Sequence, residues 1–206
     1  MKRALTFFVL LATFLPATAL SQPARSSRFE IGAMAGVFRI SMDKFNDFYE
    51  SRVAYPVGGS LDYAFTPSLH LSVRGKTFTK SVTFFDDQLG RNVDFEWQQS
   101  WIGIGVQRLS SSFSGKSRTF FGFGLVFFII EQNEEGFLLD DLRIDSKTTN
   151  PKGFFLNIGF DRYVARNMSI RFEIEATSAS VGEGFGVESQ SFGGIFVGLG
   201  FNLNLF

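Results

Sequence analysis

The sequence contains no cysteine, which excludes both a disulfide framework and a thiolate metal site. It has no excess of either charge, with 20 basic and 20 acidic residues. That balance argues against a nucleic-acid binder, which would carry a basic surplus. Charge of any sign is scarce, at 19% of the chain, where a soluble domain has about 25%. Long apolar runs are missing beyond the first 21 residues. The longest, 120–130, is about half of the ~20 residues that a membrane-spanning helix needs. What the chain has instead is 28 Phe and 21 Gly. So much Phe would overfill the core of one small soluble domain, and a second apolar surface would absorb it.

The first residues have a meaning of their own. Lys2 and Arg3 precede an apolar stretch from Ala4 to Leu15, which Pro16 breaks. Small residues follow in Ala17-Thr18-Ala19-Leu20-Ser21. This is the pattern of a cleaved secretory signal peptide over residues 1–21, with cleavage after Ser21. Residues 22–27 then form a short N-terminal segment, and residues 28–206 the folded body.

The body alternates with a period of two. Leu69, Leu71 and Val73 alternate with His70, Ser72 and Arg74. Phe154, Leu156, Ile158 and Phe160 alternate with Phe155, Asn157, Gly159 and Asp161. Ile170, Phe172 and Ile174 alternate with Arg171, Glu173 and Glu175. Such segments are strands with one apolar face and one polar or small face. Eight are read, over 28–40, 55–65, 69–81, 93–108, 118–131, 152–163, 168–179 and 191–206. Short turns (Thr66-Pro67-Ser68, Ala165-Arg166-Asn167) and a moderate one at 110–117 alternate with long polar loops at 41–54, 82–92, 132–151 and 180–190. Short turns at one end and long loops at the other is the arrangement of an outer-membrane barrel, with its turns in the periplasm. The fourth segment breaks phase between Val93-x-Phe95-x-Trp97 and Ile102-x-Ile104-x-Val106, which a bulge near 98–100 would reconcile. Ten strands, with a further hairpin inside 132–151, is the alternative count.

In pattern over residues 28–206, the chain resembles the small outer-membrane β-barrels of the OmpA/OmpX kind. The most specific element is its end. Gly200, Leu203 and Leu205 follow the spacing Gly-x-x-aromatic-x-aromatic of the barrel-assembly signal, with Leu at both aromatic positions, and Phe206 follows one residue out of phase. The resemblance implies an all-β fold: a transmembrane, antiparallel, up-and-down barrel in the outer membrane. It also implies the barrel-assembly machinery, lipid and lipopolysaccharide as partners, and a monomer. A lipocalin-like soluble barrel shares the alternation but turns its apolar face inward. Sparse inward charges of mixed sign and glycines at 58, 159, 198 and 200 favour lipid outside.

An eight-stranded barrel is just wide enough inside for side chains. The inward set should hold Asp62, Arg74, Lys76, Glu96, Asp161, Arg171, Glu173 and Glu175, with Asn157, Asn202 and Asn204. Charges in so narrow a space must pair, as an ionic plug or, alternatively, along an ion path. No cofactor is implied. Lipid A deacylases, built on a barrel, use a His-x-Ser with a Glu nearby, and His70-Leu71-Ser72 has that spacing. It lies beside a short turn on the inward face, however, away from such a substrate. The loop at 132–151, with Glu131 before it, is dense in acid (Glu134, Glu135, Asp140, Asp141, Asp145) but lacks the EF-hand spacing. Its Phe137-Leu138-Leu139 could meet an extracellular partner. Phe45, Phe48 and Tyr49 enrich the first loop in aromatics. Trp97, Tyr63 and Tyr163 are candidates for aromatic girdles. The function expected is a non-enzymatic structural or surface-interaction barrel. The alternatives are a narrow channel or transporter for small or apolar solutes and, less favoured, a lipid A-modifying enzyme.

Overall fold

The computed structural model describes residues 28–42, 45–86, 91–113, 115–134, 150–180 and 191–205. The expected signal peptide over 1–21, residues 22–27, positions 135–149 of the expected acidic loop with its Phe-Leu-Leu trio, and Phe206 lie outside them. Strand segments run β1 (Phe29–Ile40), β2 (Val53–Ala54), β3 (Val57–Thr66), β4 (Leu69–Asp86), β5 (Arg91–Ser111), β6 (Ser117–Glu134), β7 (Lys152–Ala165), β8 (Met168–Ser180) and β9 (Ser191–Leu205). One short helix, α1 (Phe45–Tyr49), lies between β1 and β2. β1 pairs antiparallel with both β2 and β3, each strand from β3 onward pairs antiparallel with the next, and β1 pairs with β9. The sheet therefore closes into an up-and-down barrel of eight staves, β2 being a short outlier that prolongs the β3 stave beyond Tyr55-Pro56.

The alternation read from the sequence becomes an inside and an outside. Ile31, Leu61, Val73, Ile104, Phe123, Ile158, Ile174 and Leu199 point outward and are exposed. Leu199, near the middle of its strand, is 62% exposed. In water such a belt would be untenable; in a bilayer it is the lipid-facing band of a transmembrane barrel. No helix among the described residues is long and apolar enough to cross a membrane. The strands do the crossing. Every backbone N–H and C=O within a closed sheet has a neighbour to bond, and that allows strands to sit in lipid at all.

Two of the short turns are built alike. Thr66 pairs with Leu69 across Pro67-Ser68, and Ala165 with Met168 across Arg166-Asn167. Beside each, the register shifts by a bulge, at Ala64/Thr66 and at Tyr163/Ala165. The third turn, between β5 and β6, uses Gly115 at φ 64, a left-handed conformation that glycine adopts without steric cost. At the other end the strands overrun the membrane. β5 has 21 residues and β4 and β6 have 18 each, where roughly 9–11 tilted residues suffice to cross. The expected long loop at 82–92 is consequently mostly ladder, paired as far as Asp86↔Arg91.

Nor does β5 contain the expected bulge. Its register with β4 and β6 runs unbroken from Arg108 back through Phe95. The phase break is instead a change in what the barrel holds. Gln107 and Leu109 point inward near the turns, and Trp101, Gln99 and Trp97 point inward nearer the loops. The interior turns from polar to aromatic along the strand, so apolar residues change face without any change in backbone.

Candidate functional site

The interior nearest the turns is an ionic cluster drawn from five staves. Arg171 on β8 lies between two acids. Its Nε donates to Asp161 Oδ1 at 2.8 Å, and its Nη1 to Asp62 Oδ2 at 3.3 Å. Asp161 also accepts from Arg118 Nε at 2.7 Å, and Arg118 reaches on to the Glu30 carboxylate through both terminal nitrogens. Arg171 sits 4.4 Å from the centre of the Phe120 ring, which covers its planar face. All five charged groups are buried. Burying any one alone would cost several kcal/mol, and only the mutual pairing makes the arrangement tenable.

A second cluster lies above the first, where Arg74 and Lys76 of β4 face Glu173 and Glu175 of β8 across the bore. Arg74 Nη1 donates to Glu173 at 3.0 Å and to Glu175 at 3.1 Å. Lys76 Nζ donates to the same two carboxylates at 3.3 and 2.8 Å. Asn157 Nδ2 and Trp101 Nε1 satisfy further carboxylate oxygens. Two cations and two anions make this cluster neutral. Glycines make room for it. A Cβ on Gly103 would crowd Arg74, and one on Gly122 would collide with Asn157.

Toward the loops the filling becomes aromatic. Trp101 lies 5.0 Å from Phe38 and 5.9 Å from Phe128, ring centre to ring centre. Phe78, Phe155 and Phe196 pack into the same core. The first loop folds over it. Helix α1 lays Phe45 and Tyr49 together at 4.6 Å, with Phe45 edge-on to Trp97 at 5.4 Å. Glu50 ends the helix at φ 55, a left-handed cap rare outside glycine. Lys80 secures the returning chain by donating to the Ser51 and Val53 carbonyls at 2.6 and 3.0 Å.

Seven of the eight charged residues assigned to the interior lie in these two clusters: Asp62, Arg74, Lys76, Asp161, Arg171, Glu173 and Glu175. Glu96 does not. It shares the outward parity of Gln98 and Ile102, because its neighbours Phe95 and Trp97 take the inward positions of the aromatic core. For the same reason Trp97 is no girdle residue, being 6% exposed inside the barrel. Tyr163 also faces inward, below Arg118, at 5.6 Å from its guanidinium. Tyr63 is half-buried on the outer wall, against Phe29 and Phe65. Glu30 and Arg118 escaped the sequence reading, Glu30 although it lies between Phe29 and Ile31 in the required phase, Arg118 because its neighbours Ser117 and Thr119 are polar. Both sit at strand starts, where the pattern is too short to stand out.

His70 and Ser72 are both buried in the bore, and the Ser72 hydroxyl accepts from Arg74 Nη2 at 3.0 Å. Among the described residues, no group of three or more His, Asp or Glu side chains is arranged to hold a metal ion. In β9, Gly200 faces inward against Met34, and Leu203 faces out. Leu205 is half-buried beside Phe29 of β1.

No protein-family model matches the chain, and no curated protein sequence matches it. Solved structures do. Neisserial surface protein A superposes with a TM-score of 0.62 at 13% identity, covering 87% of this chain and 98% of that one. The outer membrane protein OprG of Pseudomonas aeruginosa aligns at 0.49 and 14% identity, over 86% and 96%. A major outer membrane protein of Thermus thermophilus aligns at 0.49 and 13%, over 85% and 97%. The first match and the closed ladder agree: the chain has the fold of the small outer-membrane β-barrels.

Proposed function

We propose that the protein is a closed, non-enzymatic outer-membrane barrel, structural or surface-interacting, whose work is done at its loop end. The observation that carries this reading is the continuous filling of the bore. Two ionic clusters occupy it from the turns to mid-height, an aromatic core occupies it above, and α1 folds over the top. A bore only wide enough for side chains, and full of them, has no room for a water column. Catalysis by His70 and Ser72 gains no support from a geometry that seals both inside, with the serine hydroxyl held by an arginine.

In this reading the loops and the overrunning β4–β6 ladder make the contacts that matter. The exposed Glu131 at the end of β6, with the acids that follow it, suits lipopolysaccharide bridged by divalent cations. An extracellular protein partner would use the same surface. The chain works as a monomer, and Gly200, Leu203 and Leu205 of β9, followed in sequence by Phe206, present the signal for barrel assembly.

Single-channel recording in a planar bilayer tests the reading. Protein shown to be inserted should give no steady conductance. Reproducible steps would overturn the closed barrel and put a narrow channel or transporter in its place.

A further inference from the structure

The turn end of the barrel carries a charge pattern that neither the plug nor the loops explain. Arg28, Arg108, Lys116, Arg162 and Arg166 are all exposed there. The acids at the same end (Glu30, Asp62 and Asp161) are all buried inside and committed to Arg118 and Arg171. Among the described residues no exposed carboxylate lies at this rim, and none of its five cations has a carboxylate partner. Among the described residues the exposed acids, Glu50 and Glu131, belong to the other end. The exposed charge of the turn end is thus of one sign among the described residues, whereas the loop end carries both, with Arg39 and Lys152 beside Glu50 and Glu131.

Two of these cations stand on the wall itself. Arg108 points outward from β5, paired with Leu69 on one side and Phe121 on the other. Arg162 points outward from β7, paired with Ile170 and Ser117. Leu69, Phe121 and Ile170 are lipid-facing, at 41%, 40% and 39% exposure. An arginine set among such neighbours keeps its stem on the apolar wall and its guanidinium in the headgroup layer. Between the two, the β5–β6 turn forms a recess lined by Ser110, Ser111, Ser112, Ser117, Arg118 and Thr119. Hydroxyl donors beside arginines are the chemistry that recognises a phosphodiester.

We propose that this rim is a binding site for anionic phospholipid of the periplasmic leaflet, with the lipid phosphate over the serine-lined recess between Arg108 and Arg162. The inference rests on the membrane-spanning fold and on turns that face the periplasm, and is independent of whether the bore conducts. The position of Arg108 and Arg162 selects lipid over a soluble periplasmic polymer, which would meet the turn tips, Lys116 and Arg166, and not the wall.

Native mass spectrometry tests it on protein purified from the membranes of expressing cells. Mixed micelles would offer phosphatidylglycerol and phosphatidylcholine in equal amounts, and bound lipid is counted on the folded barrel. Each basic residue at an anionic surface multiplies binding about fivefold, so the wild type should retain phosphatidylglycerol with a preference of roughly tenfold or more. Arg108→Gln with Arg162→Gln should bring the two lipids close to parity. Arg39→Gln with Lys152→Gln, at the loop end, should leave the preference intact. Heat-modifiable migration in gels verifies that each variant is a closed barrel, and the single Arg162→Gln change serves if the double variant does not fold. Equal retention of the two lipids by the wild type would overturn the proposal. So would a preference that survives loss of both wall arginines, or one abolished only by Lys116→Gln with Arg166→Gln.

Discussion

The indole nitrogen of Trp101 donates to Glu175 Oε1 at 3.1 Å, and that bond joins the aromatic upper filling to the ionic lower one. The other oxygen of Glu175 is taken by Arg74 and Lys76, so the tryptophan is the partner of the first. Trp101→Phe keeps a ring in the core and leaves a buried carboxylate oxygen without its donor. The expected cost is about 1–3 kcal/mol, read from urea-dependent folding into lipid vesicles. A change well under that would mean water replaces the indole.

Arg171 should prove more sensitive than any surface cation. Arg171→Met leaves Asp62 in the bore without its cation and Asp161 with Arg118 alone, and should destabilise by about 3–5 kcal/mol. Adding Asp161→Asn should recover part of the loss, because Glu30, Asp62 and Asp161 then no longer share the single cation Arg118. Additivity of the two changes in a double-mutant cycle would contradict the network.

The outward face of β9 makes a complementary prediction. Leu199→Arg places a charge in the lipid-facing band at a cost of roughly 2–4 kcal/mol. Asn202→Arg, on the inward face, should act by crowding Arg171 and Asp161. If Leu199→Arg folds into lipid as well as the wild type, the assignment of that face fails.

Phe45→Ala combined with Tyr49→Ala should free the lid without opening the barrel. Trp97 loses the ring packed edge-on against it, so its fluorescence should shift to the red and amides near 45–52 should exchange faster. Thermal stability of the barrel should change little. An unchanged spectrum would mean that the first loop does not rest on Trp97 in the membrane.

His70→Ala should leave the lipid A profile of expressing cells as it was. A changed profile would return His70 and Ser72 to consideration as catalytic residues.

Much of the fold was legible because lipid imposes a strict rule on strands. The alternations at 154–160, 170–176 and 195–205 each give inside and outside correctly, since a slip of one residue would turn polar side chains (Asn157; Arg171, Glu173 and Glu175; Asn202) toward lipid. The rule weakens where strands leave the membrane. Trp97 and Glu96 exchange the faces expected of them because the bore there is aromatic, and an apolar residue no longer marks the lipid side. The partners in the bore were hidden for another reason. Arg74 meets Glu173 across 99 positions of chain and from a non-neighbouring stave, a relationship that depends on barrel curvature and shear and leaves no mark on local spacing. Lid residues Phe45 and Tyr49 stood out as aromatic, but nothing in a loop's composition says which way it folds.

The seam between β1 and β9, continuous from Phe29↔Leu205 to Ile40↔Gly194, has a kinetic consequence. It joins the first strand to the last, so its contacts have the greatest sequence separation in the molecule, and the entropy of closing that loop must be met before they form. Until then both strands are bare edges, each with a row of unpaired amides and carbonyls and an apolar face, the combination that drives strands of different molecules to stack. Slow closure and aggregation therefore compete for the same intermediate. Changes that weaken the seam, at Gly198 or Gly200 for instance, should lower the yield of folded barrel more than they lower the stability of barrels already closed.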